Sequence, residues 1–441
     1  MYMRQKSMLS IDGHMPIIGF YGPHECDYTS PKGWKLPNYL TDECYQLIRE
    51  SGINLISYCE NDYAKNPGAV IRSLELAEKY GIGMYVTDSG LASGMYTEAI
   101  VKRMQEYSHF KSFRGIKVCD EPGSASYGDQ SRRLPDYYDL MQKLNAMNGI
   151  NGYINLYAFH PNWIGLGNNT IWLDRDHFEV YVDEYCSNCS PKMLSEDYYI
   201  FDEHSVETSK AYFENLEIMN LYAQKYDIPY WVHIQVGGQW NDAAKAVETV
   251  KYYPTSAEVQ WNVNTSLACG AKGIQYFPMI QPYFFAFAPD GEMDFDRNGM
   301  IRADGKKGQW YGCVQSINKQ IYAVGSYLLQ MDLKHMVVKG YYAALNLPKA
   351  SENYGALKNI ILADPDNLYG VIVGCFSYGE QEAYYVVNND VKYSQSFTIE
   401  LEKACDIQMI SSEIQETIQG TRCELSLKPG SSVLVILNCN V

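Results

Sequence analysis

The chain has 441 residues, 46% of them apolar and only 20% charged, which suits a large folded core and excludes a disordered or solvating protein. Its formal net charge of −16 repels nucleic acid and anionic membranes, because both demand clustered Lys and Arg. A neutral substrate is the simpler expectation, with no nucleic-acid or membrane partner, and the oligomeric state stays open.

Met1 to Gly13 carries charge but neither an apolar stretch nor a cleavage site, so the chain as given is expected to be soluble and cytoplasmic unless a leader preceded it. Short apolar runs then alternate with amphipathic stretches. The predicted strands are Pro16–Tyr21, Ile53–Cys59, Gly83–Thr87, Gly115–Cys119, Gly152–Tyr157, Met193–Tyr198, Tyr230–Gln235 and Gly273–Phe277. Helices are predicted between them, for example over Thr41–Glu50, Ala69–Lys79 and Thr97–Glu106, with Gly52, Gly81, Gly149 and Gly270 as helix C-caps. Eight strands alternating with helices imply a closed parallel sheet, the (β/α)8 or TIM barrel. An open doubly wound sheet would need a phosphate-binding GxGxxG after an early strand, and none is present. Val314–Met331 reads as the last barrel helix. Beyond about residue 333 short alternating runs separated by turn clusters predict an all-β sandwich. The domains are therefore expected to be a catalytic barrel over residues 1–332 and a β-sandwich over 333–441, packed together without a flexible linker.

The 39 tyrosines are the main compositional oddity, and a flat ring with a hydroxyl at its edge suits the mixed C–H and hydroxyl surface of a sugar. The 12 cysteines lie mostly inside apolar runs and imply no disulfide framework; Cys186 and Cys189 form a lone CxxC without a second pair for zinc. Asp294-Phe295-Asp296-Arg297-Asn298-Gly299 imitates the start of a calcium loop but has Gly305 where the bidentate Glu belongs. No metal or other cofactor is expected.

In a barrel of this kind the chemistry sits where each strand ends. Those tips supply Glu60, Asp88, Asp120, Glu121, His160, Asp197, Tyr198, His233, Gln235 and Tyr276, with Trp163 and Trp240 in loops as stacking platforms and Glu258 as a weak reserve. Carboxylates dominate. Glycoside cleavage needs that balance, one carboxylic acid to protonate the leaving oxygen and a carboxylate to attack or to activate water. The sharpest signal is Gly115-Ile116-Lys117-Val118-Cys119-Asp120-Glu121-Pro122-Gly123, an apolar strand ending in adjacent acids whose repulsion and burial favour one protonated carboxyl.

The opening Met15-Pro16-Ile17-Ile18-Gly19-Phe20-Tyr21-Gly22-Pro23, the Asp120-Glu121-Pro122 tip, Asp197-Tyr198-Tyr199 and Ala268-Cys269-Gly270-Ala271-Lys272-Gly273-Ile274-Gln275-Tyr276-Phe277 resemble clan A glycoside hydrolases of the β-galactosidase-like and cellulase-like group. The resemblance implies that Glu121 is the acid/base and that Asp120 replaces the Asn that contacts the sugar. It also exposes a departure, because the strand-seven nucleophile position holds Gln235. Asp197 is then expected as base or displaced nucleophile, with retaining and inverting outcomes both open. The function expected is hydrolysis of a neutral oligosaccharide or glycoside. The alternative is a non-catalytic carbohydrate-binding barrel that has lost its nucleophile; a lyase or isomerase would call for a metal constellation or a Schiff-base lysine.

Overall fold

The protein is described by a computed structural model covering residues 9–30, 32–126, 131–159, 174–201, 206–207, 209–240, 250–283, 286, 292–295 and 297–439. Strands β1 (Ile17–Phe20), β2 (Leu55–Tyr58), β3 (Gly83–Thr87), β4 (Phe113–Asp120), β5 (Gly152–Tyr157), β6 (Leu194–Asp197) and β7 (Tyr230–Gln235) run parallel. A small antiparallel pair, β8 (Gln239–Trp240) and β9 (Val250–Tyr252), follows β7, and β10 (Gly273–Phe277) then closes the ring between β7 and β1. The expected eight-stranded barrel is formed.

Helices α1 (Asp42–Glu50), α2 (Pro67–Lys79), α3 (Thr97–Met104), α4 (Tyr138–Ala146), α5 (Arg175–Cys189), α6 (Lys210–Tyr226), α7 (Ser256–Ala268) and α8 (Tyr311–Leu328) lie between and after the strands. Their starts follow local chemistry. The side chains of Thr41, Asn66 and Asp174 each accept an N–H of the first turn. Thr255 and Glu258 form a capping box that starts α7. Gly52, Gly81, Gly149 and Gly270, expected to end helices, all have positive φ.

Strand register decides which side chains enter the barrel. Ser195 stands level with Trp231, Trp231 with Gly273, and His233 with Gln275, so these face inward. The floor is apolar: Leu9 and Ile11 from below meet Ile18, Leu55, Tyr85, Tyr153 and Trp231. Above it lies a polar layer, in which Ser195 Oγ donates to Asn155 Oδ1 at 2.8 Å and Gln275 Nε2 donates to Ser195 Oγ at 2.7 Å.

The second unit is an antiparallel sheet in the order β11 (Asp332–Lys339), β13 (Val371–Tyr378), β14 (Gln381–Asn388), β17 (Ser432–Asn438), β15 (Gln395–Ile410) and β12 (Leu357–Leu362), with β16 (Gln415–Leu427) paired to β15; the short helix α9 (Tyr341–Asn346) follows β11. The sheet curls into a sandwich-like half-barrel. One face encloses Val373, Tyr384, Ile399, Ile407, Cys423 and Val435, while Phe376, Tyr385 and Ile436 from the other face join the barrel core. Trp261 Nε1 donates to Asn389 Oδ1 and Tyr385 Oη donates to Asn264 Oδ1, fixing the sheet to α7. Cys405 and Cys439 form a disulfide, which the sequence reading did not anticipate. β15 and β17 pair Asp406 with Asn438, and this places the two cysteines side by side. The other ten cysteines are free, and none is exposed.

Among the described residues no helix is long and apolar enough to cross a membrane.

Candidate active site

Three carboxyl groups meet at the open end of the barrel: Asp120 ends β4, Glu121 follows it, and Asp197 ends β6. Their convergence rests on a bulge. In β4 the register slips between Lys117 and Cys119, so Lys117 stands level with Tyr153 and Asp120 with Asn155, both inward. Without that extra residue, side chains three apart on a strand would face opposite ways.

Glu121 then takes a left-handed conformation, φ 47°, which costs a non-glycine residue about 1 kcal/mol or more. Its N–H donates to Asn155 O at 2.9 Å, and Tyr181 on α5 donates its hydroxyl to Pro122 O, so neighbours on both sides hold the turn. The bend directs the Glu121 carboxyl toward Asp197, with which it shares a hydrogen bond, and toward the hydroxyl of Tyr157. Tyr199 completes the chain: its hydroxyl lies 3.3 Å from Asp197 Oδ2 and 3.4 Å from His233 Nδ1.

The electrostatics separate these acids. Burial pushes Asp197 well above the usual aspartate range, and the charge of Glu121 adds to that. Burial also raises Glu121, opposed by the hydrogen bond from Asp197. Asp120 goes the other way. Burial alone would raise it, but Lys117 Nζ at 2.9 Å outweighs that and holds it below its ordinary value. Lys117 is enclosed by aromatic faces, 4.4 Å from the Phe20 ring centre, 4.9 Å from Tyr153 and 5.1 Å from Tyr58. These shifts favour the protonated form on the Asp197–Glu121 pair and the ionised form on Asp120, whose side chain remains 39% exposed.

The other sequence candidates fall in several places. His233 faces inward beneath the carboxyls, tilted against the Phe20 ring and fully buried, and burial lowers it to about 3, so it is neutral. Gln235 also faces inward, yet its amide is engaged by backbone, accepting from Phe201 N at 2.9 Å and donating to Gly237 O at 3.0 Å. Glu60 stands exposed at the β2 tip, where its charge adds to burial in raising Tyr21.

Three expected substrate ligands are turned to structural duties, as is the reserve carboxylate. Tyr276 points outward, where its hydroxyl donates to Asn318 Oδ1 of α8, because strand alternation puts it opposite Gln275. Tyr198 likewise packs on Tyr212 of α6, leaving the next residue, Tyr199, to face the site. Asp88 is buried in a fork with Arg103, 2.6 and 2.8 Å, and accepts from Tyr107. The reserve, Glu258, belongs to the capping box of α7. His160 and Trp163 lie outside the described residues, as does the side chain of Trp240. Sequence reasoning missed Lys117, Tyr157 and Tyr199. Of the imitation calcium loop, Asp296 lies outside the described residues, and among those described no group of three acids, His or Cys could hold a metal ion.

No family model matches the chain, and no curated protein does. Solved structures do. Gan42B, a GH42 β-galactosidase from G. stearothermophilus, aligns over 97% of this chain and 98% of its own with a TM-score of 0.56 at 9% identity. The fold is shared with glycoside hydrolases. A GH27 β-L-arabinopyranosidase from Geobacillus stearothermophilus covers 99% of both chains with a TM-score of 0.48 at 9% identity. AbfB, a family 51 α-L-arabinofuranosidase from Bifidobacterium longum, covers 99% of this chain and 96% of its own at 0.45 and 10% identity.

Proposed function

We propose that the protein is a glycoside hydrolase whose acid is the Asp197–Glu121 pair and whose working carboxylate is Asp120. The observation that carries this reading is the convergence of three acids at one barrel mouth, with Lys117 paired to Asp120 at 2.9 Å and burial opposing ionisation of Glu121 and Asp197. Cleavage of an acetal needs a proton for the leaving oxygen and an anion for the developing oxocarbenium centre. Asp197, the more strongly raised of the pair, keeps the proton, and Glu121 passes or receives it through their hydrogen bond. Hydrogen-bonded carboxyls lie closer than the roughly 5–5.5 Å of a retaining pair. Glu121 and Asp197 therefore work as one proton-sharing unit, in contrast to the opposed acid and base expected from the sequence. Asp120, kept ionised by Lys117 and accessible from the mouth, attacks the anomeric carbon or activates water.

The test is turnover of a panel of nitrophenyl glycosides. Asp120→Asn, Glu121→Gln and Asp197→Asn should each lower kcat by about 10²–10⁴-fold. Full activity in the Asp120 variant removes it from the mechanism.

Gln235 favours a second reading, a barrel that binds glycans without cleaving them, since its amide cannot form a glycosyl ester and is already committed to backbone. Calorimetric binding of a glycan with no turnover on any substrate would favour that reading. Lys117 and Asp120 weigh against it, because they supply an anion from β4 without any need for a β7 carboxylate.

A further inference from the structure

We propose that the cavity between α6 and β11 is a binding site for a small amphipathic acid, an aryl or alkyl carboxylate. It is separate from the barrel mouth, since none of Asp120, Glu121 and Asp197 borders it, and it does not depend on the hydrolase reading.

The cavity encloses about 360 Å³, inside the span of roughly 300–1,000 Å³ usual for small-molecule sites. It lies on the outer wall of the barrel, where α6 meets β11 and the segment after α9. A local irregularity of β11 shapes it. The register against β13 slips between Leu333 and His335, so Lys334 is an extra residue and the strand's alternation is broken. Leu333, Lys334, His335 and Met336 consequently all border the space. An unbroken strand would send alternate side chains to the far face.

The lining divides by chemistry. Phe213 and Leu216 of α6, with Leu333, Met336 and Leu347, give it an apolar side. Its charged residues are Arg175, Lys334 and Lys349 against Glu214 and Glu217. Both glutamates are already paired. Lys349 Nζ lies 2.5 Å and Arg175 Nη2 3.2 Å from the Glu217 carboxylate, while Lys210 at 3.9 Å and Arg175 at 4.0 Å reach Glu214. Lys334 differs. It is exposed, and its ammonium makes no ion pair or hydrogen bond among the described residues. The cavity thus carries a positive excess on a chain whose net charge is −16. An apolar body would bury against Phe213 and Leu216, and its carboxylate would meet the Lys334 ammonium. A neutral sugar would leave that ammonium unpaired, and a cation would be repelled by it.

The walls stand without a ligand. Gln224 Nε2 donates to Leu333 O at 3.0 Å, and Asn346 Nδ2 donates to Val206 O at 2.7 Å, holding α6 and α9 in place. An acid seated between them touches the barrel and the C-terminal unit together, so it should also stabilise their junction.

The experiment is calorimetric titration of the full chain with phenylacetate, 4-phenylbutyrate and octanoate, and with the corresponding primary amides. It is repeated in Lys334→Gln and in Ala350→Trp, which places an indole at a residue bordering the cavity. At least one acid should bind one to one, about tenfold or more tighter than its amide, and raise the Tm. Each variant should weaken that acid by about tenfold. Lys334→Gln changes an exposed side chain and should keep the parent Tm, so it decides the matter even where Ala350→Trp does not fold. The proposal is overturned by a panel in which no acid binds, by acid and amide binding alike, or by an affinity unchanged in either folded variant.

Discussion

Lys117 occupies the centre of the barrel with three aromatic faces around its ammonium and one carboxylate within hydrogen-bond reach. Its effect on Asp120 sets the acid side of any pH–rate profile. In the proposed mechanism Asp120 must be ionised to act, and it is held low, so activity should persist below the ordinary aspartate range. In the same mechanism the Asp197–Glu121 pair must keep a proton, and both groups are raised, so the alkaline limb should lie above the ordinary carboxylate range. In Lys117→Met the burial of Asp120 loses its largest opponent, and the acid limb of kcat/KM should move upward and narrow the profile. An unmoved acid limb would show that Lys117 does not govern Asp120. Glu196, next to Asp197 but on the outer face of β6, is fully buried, and neither of its carboxyl oxygens has a hydrogen-bond partner. Burial raises it to about 8. The folded state thus keeps a proton that the unfolded chain releases near pH 4.5, and the stability this supplies is present below that value and lost as pH rises through 8. The interval corresponds to about 5 kcal/mol. Tm measured from pH 5 to 9 should therefore fall less steeply in Glu196→Gln than in the parent.

The strands and helix ends were legible because each carries a local cause: apolar runs of strand length, capping side chains, and glycines where φ turns positive. Which residues face the site was less so. Strict alternation from Lys117 would send Asp120 outward, and only the bulge, a pairing detail with β5, returns it to the interior. A similar one-residue ambiguity led to Tyr198 and Tyr276 in place of Tyr199, since nothing local says which tyrosine of a strand tip turns inward. The long ribbon of β15 and β16 was also illegible, because its exposed, polar outer half has little apolar period to read. The join between the two units depends on close backbone approach. Gly430, φ 64°, brings the turn before β17 onto α7, where an added Cβ would lie 2.3 Å from Ala257 O and 3.0 Å from Trp261 N. Its own carbonyl accepts from Asn264 Nδ2 at 2.8 Å. Gly430→Ala should therefore destabilise the full chain by more than about 1 kcal/mol in chemical denaturation, because both φ and space are wrong for a side chain. An unchanged midpoint would mean that the turn can withdraw from α7 freely.

At the scale of the whole molecule, barrel and sheet share one continuous core, with Tyr385, Phe376 and Ile436 packed among the barrel's outer residues. The C-terminal unit is thus part of the scaffold behind β7 and β10 more than a separate attachment. Its disulfide ties the end of β17 to β15, in an arrangement that persists in oxidising surroundings. The barrel floor has a different consequence. Leu9 and Ile11, with Tyr85, Tyr153 and Trp231 above them, stop the barrel from below with apolar side chains, and none of these residues is exposed. Nothing passes through the cylinder. Under the proposed hydrolysis, substrate and product would share the opposite, open end, so a lingering fragment would bar the next arrival and release would compete directly with entry.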